Sequence, residues 1–184
     1  MKLTHDEMLQ LWKLVNAYEP LRADCTVTRS DGIDLDGLLT VEMQAWYDNL
    51  LDTAPIEMLC PHDISSRAIL TININGHAEI ELPADCRRLI EVKLSCWHRP
   101  AAIIAEPDAA TINRQSSPFT RGGAMEPVAL MLHGRLMLYS IPDGTTSIPR
   151  VERLIAVTKP QDGTYELAER AILDIKTHAA IWDT

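Results

Sequence analysis

The stretch Ile69–Trp97, ILTININGHAEIELPADCRRLIEVKLSCW, decides the fold. Leu70, Ile72 and Ile74 alternate with Thr71 and Asn73. Ala78, Ile80 and Leu82 alternate with Glu79 and Glu81, and Ile90, Val92, Leu94 and Cys96 alternate with Glu91, Lys93 and Ser95. Three runs of period two in one window predict three half-buried antiparallel strands. The turn between the first two is less simple. Asn75-Gly76 suits a two-residue type I′ loop, but that loop sets Ile72 opposite Glu79 and brings carboxylates onto the apolar face. Setting Ile74 opposite Ala78 and Ile72 opposite Ile80 restores one apolar face, because cross-strand partners share a face. The expected loop is therefore Asn75 to His77, or a bulge beside the turn.

Outward from this stretch, a second hairpin joins Val128–Leu132 to Arg135–Ile141 through His133-Gly134. Leu130 and Leu132 lie on one face, Ala129 and Met131 on the other. Strands apolar on both faces are central or covered. Pro142-Asp143-Gly144 reads as a turn, and Val151–Thr158 as another strand. After Asp162-Gly163-Thr164 an apolar stripe of Ala168, Ala171, Ile172, Ile175, Ala179 and Trp182 predicts a C-terminal helix. Glu166 and Arg170 are spaced as an i, i+4 pair on its outside.

At the other end, Thr4 and Glu7 form a capping box. Met8, Leu11, Trp12 and Val15 then make a helical stripe that Pro20 ends. A second helix is expected from Leu38 to Thr53, with Leu39, Met43, Trp46, Leu50 and Leu51 on one face. Asp63 can cap one or two turns before Ile69. The fold class is α+β: an antiparallel sheet of about six strands, with the N-terminal helices and the C-terminal helix packed together. The expected organisation is a single domain over 1–184, mainly helical over 1–68. The sheet, with a long 101–126 loop, spans 69–158, and the C-terminal helix spans 164–183. Pro107, followed by Asp108-Ala109-Ala110-Thr111-Ile112, suggests a short helix within that loop with the proline in its first turn.

The formal net charge is −9. Residues 1–68 hold 5 basic and 12 acidic side chains, residues 69–158 hold 9 of each, and residues 159–184 hold 3 and 5. An acidic helical part argues against a protein that grips nucleic acid through its phosphates. No run of about 18 apolar residues predicts a membrane span, and the acidic N-terminus does not read as a secretory signal. The four cysteines, Cys25, Cys60, Cys86 and Cys96, are widely spaced without a CxxC pair. They read as reduced thiols of a cytoplasmic protein, two of them packed in the core.

Few residues suggest chemistry. Asp31, Asp34 and Asp36 resemble the start of a calcium loop, but Leu38 and Leu39 stand where further ligands and a glycine are needed. Cys60 with His62, and Cys96 with His98, each offer two zinc ligands where a structural site takes four. There is no GxSxG elbow. A hydrolase would have to assemble His98, His133 and Asp143. No catalytic, cofactor or metal residue is therefore assigned. Trp97, Arg99, Arg114, Phe119 and Arg121 flank or lie in the long loop and form a candidate subunit interface, since arginine and aromatics are enriched in interfaces.

The order of elements, with LPADCRRLIEV after the first hairpin and Gly134, Leu136, Leu138 and Pro142 in a G-x-L-x-L-x-x-x-P strand, resembles the head–tail adaptor (connector) proteins of tailed phages and prophages. The similarity covers residues 69–182. It implies a structural protein that assembles as a ring between portal and tail, with those two as partners. The subunit could be monomeric alone and virion-located if phage-encoded. It implies no membrane or specific nucleic-acid partner and no catalytic residue. The chain departs from those adaptors that carry a long C-terminal segment reaching the portal, so docking would fall to the 101–126 loop or the N-terminal helices. A binding module for a small ligand or peptide is the alternative.

Overall fold

The computed structural model describes residues 1–16, 34–72, 77–142, 149–161, 163–172 and 175. Expectations for Pro20, Cys25, Asp31, Asn75-Gly76, Asp143, Ala179 and Trp182 fall outside those residues. In chain order the elements are β1 (Lys2–Thr4), α1 (His5–Val15), α2 (Leu35–Thr53), β2 (His62–Asp63), β3 (Ile69–Ile72), β4 (Ala78–Glu81) and β5 (Cys86–Leu94). They continue as β6 (Ala102–Ile104), α3 (Ala109–Ser116), β7 (Val128–Leu132), β8 (Arg135–Leu138), β9 (Val151–Thr158) and β10 (Thr164–Glu166). The protein is mixed α+β, and it divides into two compact units: Met1–Cys60 with Lys159–Thr184, and Pro61–Thr158.

In the first unit the capping box forms as the sequence predicts: the Glu7 carboxylate accepts from the Thr4 backbone N–H at 2.8 Å, and the Glu7 N–H donates to Thr4 Oγ1 at 3.3 Å. Met8 and Trp12 of α1 are buried, and the Trp12 ring meets Trp46 of α2 with centroids 5.4 Å apart. α2 buries Leu39, Met43, Trp46, Leu50 and Leu51, the expected stripe, together with Tyr47. Thr164–Glu166 is a strand, not the start of a helix. It pairs antiparallel with β1, Leu3 opposite Tyr165. The Met1 amine and carbonyl extend the ladder to Leu167 at 2.6 and 2.9 Å. Glu166 therefore meets Lys2 at 3.7 Å instead of completing a helical pair with Arg170. Helical residues begin at Glu169, and Ala171 and Ile175 are fully buried. A strand this short is stable only with a partner, and its partner lies at the opposite end of the sequence.

The second unit corrects the expectation of one six-stranded antiparallel sheet. Among the described residues the strands form sheets of two, three and five strands, β1-β10, β2-β9-β5 and β3-β4-β8-β7-β6. The strand after Pro83–Asp85 does not extend the first hairpin, because the free edge of β4 is taken by β8, with Ile80 opposite Leu136. β5 turns away, the Cys86 N–H donating to the Pro83 carbonyl at 2.9 Å, and pairs with β9. Register shifts along that pair bring Cys86 and Leu89 onto the core beside Val92 and Leu94. One core cluster then takes Ile80, Leu136 and Leu138 from the larger sheet and Val92, Leu94 and Leu154 from the smaller. Burying a side chain of that size stabilises by about 1.5–3 kcal/mol, so this cluster is what commits two sheets to one unit.

The first hairpin keeps the predicted face but not the predicted register. Ile72 lies opposite Ala78 and Leu70 opposite Ile80, a slip of two residues. Side chains alternate with period two, so a two-residue slip leaves every one on its face. The second hairpin matches its expectation: Leu132 pairs with Arg135, and His133 and Gly134 have φ of 49° and 77°, the positive values a type I′ turn requires. Both of its strands are interior to their sheet.

The 101–126 segment is not a plain loop. β6 pairs parallel with β7, Ala102 opposite Val128. A parallel pair needs a crossover of a dozen or more residues, and the segment containing α3 is that crossover. α3 begins one residue later than expected: Asp108 is its cap, the Oδ1 accepting from the Thr111 N–H at 2.7 Å, so Pro107 lies before the cap and not in the first turn.

Candidate arginine-lined cleft

The crossover of the second unit builds a cleft of about 480 Å³. Its shape begins with α3. Gln115 is turned inward and buried, and its Oε1 accepts from the Gly122 N–H at 3.0 Å. The Thr120 hydroxyl donates to the Arg114 carbonyl at 2.7 Å, and the Arg121 N–H donates to the Ser117 carbonyl at 3.0 Å. These bonds fold residues 117–122 back over the end of the helix. A Cβ at Gly122 would fall well inside contact distance of the Glu126 carbonyl oxygen, so only glycine fits there. Gly123, by contrast, has open space on its Cβ side. The far wall is tied down by the His98 N–H to the Ala124 carbonyl at 3.1 Å and the Ala102 N–H to the Pro127 carbonyl at 2.8 Å.

Three arginines line this cleft: Arg99, Arg114 and Arg121. Among the described lining residues Glu126 is the one acid, and it pairs with Arg99 at 3.2 Å. Arg121 reaches the Ile141 carbonyl at 3.5 Å. Elsewhere on this unit Arg67 pairs with Asp85, Arg135 with Glu79 and Arg153 with Glu91. Met125, 65% exposed, lines the cleft, and Phe119, 95% exposed, sits next to the lining residue Thr120.

Of the five residues named from sequence, the fold brings Arg99, Arg114 and Arg121 to one cleft with Phe119 beside it. Trp97 is placed differently. It is 3% exposed, belongs to the core cluster, and donates its indole N–H to the Ser140 carbonyl at 2.8 Å. Ser140 in turn accepts from the Val128 N–H at 3.1 Å through its hydroxyl. Trp97 thus holds β7 and the cleft wall from beneath. Gln115 and Met125 escaped the sequence reading, in which Gly122 figures only with Gly123, as a pair that makes no phosphate loop.

The other candidates disperse. His98 and His133 are exposed and line neither this cleft nor a polar recess of about 180 Å³ in the first unit between Tyr47, Asp48, Lys159 and Tyr165. Asp34 caps α2 through the Gly37 N–H at 3.0 Å, and Asp36 meets Lys13 at 2.9 Å. Among the described residues no three His, Cys, Asp or Glu side chains are grouped to hold a metal. Burial raises the thiol pKa of Cys60, Cys86 and Cys96 above the usual value, which disfavours the reactive thiolate. The His77 ring packs tilted against Tyr139 with centroids 4.8 Å apart; burial, and then the charge of Arg121, lower its pKa and favour the neutral ring. No helix among the described residues is long and apolar enough to cross a membrane.

No family model matches the chain, and no curated protein matches its sequence.

Proposed function

We propose that the protein is a structural assembly subunit of the kind it resembles, a phage head–tail adaptor that joins portal and tail as a ring. One observation carries the reading furthest. The crossover that holds Arg114, Phe119 and Arg121, three of the five predicted interface residues, presents Phe119 and Met125, both exposed, around a cleft with three arginines. Exposed aromatic and Met side chains beside arginine are the composition of a protein–protein contact. Such a subunit works by fit and needs no cofactor. The supporting residues of the resemblance have plain structural work: Gly134 makes the turn with φ of 77°, and Leu136 and Leu138 of β8 are fully buried between the sheets.

The test is co-expression with the portal protein encoded nearest its gene. Co-purification of a stoichiometric complex, lost on Phe119→Asp, is the expected result. Absence of portal, terminase and capsid genes from the neighbourhood, together with no binding to any portal tried, would refute it. A cleft of about 480 Å³ also lies in the range of ligand pockets. A small anion that raised the melting temperature of the isolated protein in an Arg114-dependent way would favour the binding-module reading.

A further inference from the structure

We propose that the outer edge of β3 receives an extended strand of a partner protein, one that alternates apolar and basic residues. The residues of this edge are not among those that line the cleft. The inference stands whether or not the assembly reading does.

Among the described residues β3 is the last strand of the five-stranded sheet. In an antiparallel pair alternate residues bond to the neighbour, and the others turn their N–H and C=O away from it. On the side away from β4 this strand therefore presents backbone donors and acceptors. Proteins ordinarily blunt such an edge with lysine, proline, a bulge or an inward charge. Ile69-Leu70-Thr71-Ile72 holds no charge and no proline, and its register with β4 is unbroken over all four residues. The opposite end of the sheet differs: next to β6 the Ala101 N–H donates to the Val92 carbonyl of β5 at 2.9 Å. The side chains of β3 are open as well. Ile69 is 66% and Ile72 41% exposed, and Thr71 is exposed too.

The two faces of the sheet specify the occupant. Leu70 and Ile72 lie opposite Ile80 and Ala78, on the face that packs the core. A strand laid along β3 needs apolar residues beside them, to cover Ile72. Ile69 and Thr71 share the other face with their partners Glu81 and Glu79. Glu79 is paired with Arg135, whereas Glu81 is exposed and has no ion-pair partner among the described residues. A lysine or arginine beside Ile69 lays its methylene stem over that side chain and brings its charge toward Glu81. The edge thus asks for apolar and basic residues in alternation, over four residues or about 13 Å. Recognition of this kind draws affinity from backbone bonds and specificity from alternate side chains.

The experiment is amide hydrogen exchange by NMR on the full chain, with acetyl-Lys-Val-Lys-Val-Lys-Val-amide as the probe. The outward amides among residues 69–72 should exchange more slowly as peptide is added, half-maximally at about 1 mM, while those of β6 do not change. The same peptide with every amide N-methylated should protect nothing. With glutamate in place of lysine the peptide should bind the wild type about threefold more weakly or worse. Glu81→Lys should reverse that preference, and binding of the acidic peptide then also shows that the variant is folded. No slowing at β3 up to about 5 mM peptide overturns the proposal. Equal protection by the N-methylated peptide overturns it too, because the backbone ladder then plays no part. So does a preference that Glu81→Lys leaves unmoved. Slowing that grows with protein concentration in the absence of peptide gives the edge to a second copy and overturns the foreign strand.

Discussion

Gly122 and Gly123 are neighbours in sequence, yet the structure predicts opposite responses to alanine. At Gly122 the new Cβ meets the Glu126 carbonyl oxygen, with the Val128 Cγ2 and Ser140 Oγ atoms at 3.2 and 3.3 Å. The first of these is backbone and cannot rotate aside. Overpacking of this kind costs about 1–3 kcal/mol. Relief by moving the turn breaks the bond from the Gly122 N–H to Gln115, and leaving the buried Gln115 oxygen without a donor adds about 1 kcal/mol or more. At Gly123 nothing lies within 4 Å of the added Cβ, and its φ is not left-handed. Alanine there reduces the freedom of the unfolded chain and stabilises by about 0.4–1 kcal/mol. The two variants should differ by about 2–4 kcal/mol, or roughly 1–2 M in urea midpoint for a unit of this size. Hydrogen exchange of peptides from β5 and β8 during urea unfolding reads the cleft-bearing unit separately from the other. Equal midpoints for the two variants would refute the account of how the cleft wall is built.

Three further outcomes follow from named contacts. Trp97→Phe keeps an apolar ring but leaves the Ser140 carbonyl without its indole donor, and should cost about 1–3 kcal/mol, seen in the same exchange measurement. In the first unit the Tyr47 hydroxyl accepts from the Glu166 N–H at 3.0 Å and donates to the Glu166 carbonyl at 3.3 Å. Tyr47→Phe should speed exchange in β1 and β10, and ultraviolet titration should find the Tyr47 phenol ionising only at about 12, chiefly because it is buried. Acid should weaken the fold through Glu7, Asp63, Asp85 and Asp108. Hydrogen bonds from Thr4, Ser65, Arg67 and Thr111 respectively hold their carboxyls below the ordinary values for Glu and Asp. Their folded pKa values are depressed, so this contribution is complete above the unfolded pKa and lost as pH falls through the folded one. Asp108→Ala should therefore flatten the acid limb of a thermal-melting profile; an unchanged limb would show that the α3 cap carries no pH-linked stability.

The features legible along the chain are local. The Thr4–Glu7 capping box, the buried stripes of α1 and α2 and the His133-Gly134 turn each depend on residues within one or two turns of one another, and each was legible from spacing and side-chain chemistry. The face of the first hairpin held, since alternation survives a two-residue slip at Ile72 and Ala78, whereas on β5 register shifts put Leu89 in place of the expected Ile90 on the core. The pairings are a property of the folded chain. β4 bonds to β8 and not to β5, β6 runs parallel to β7, and Thr164–Glu166 finds its partner at Lys2–Thr4. Backbone ladders are chemically alike, so strand choice is settled by which apolar faces bury together, a quantity that exists only once distant segments meet. The same holds for the cleft. Arg99, Arg114 and Arg121 could be named one by one along the chain, but the crossover that gathers them, and the core that claims Trp97, are properties of the folded unit.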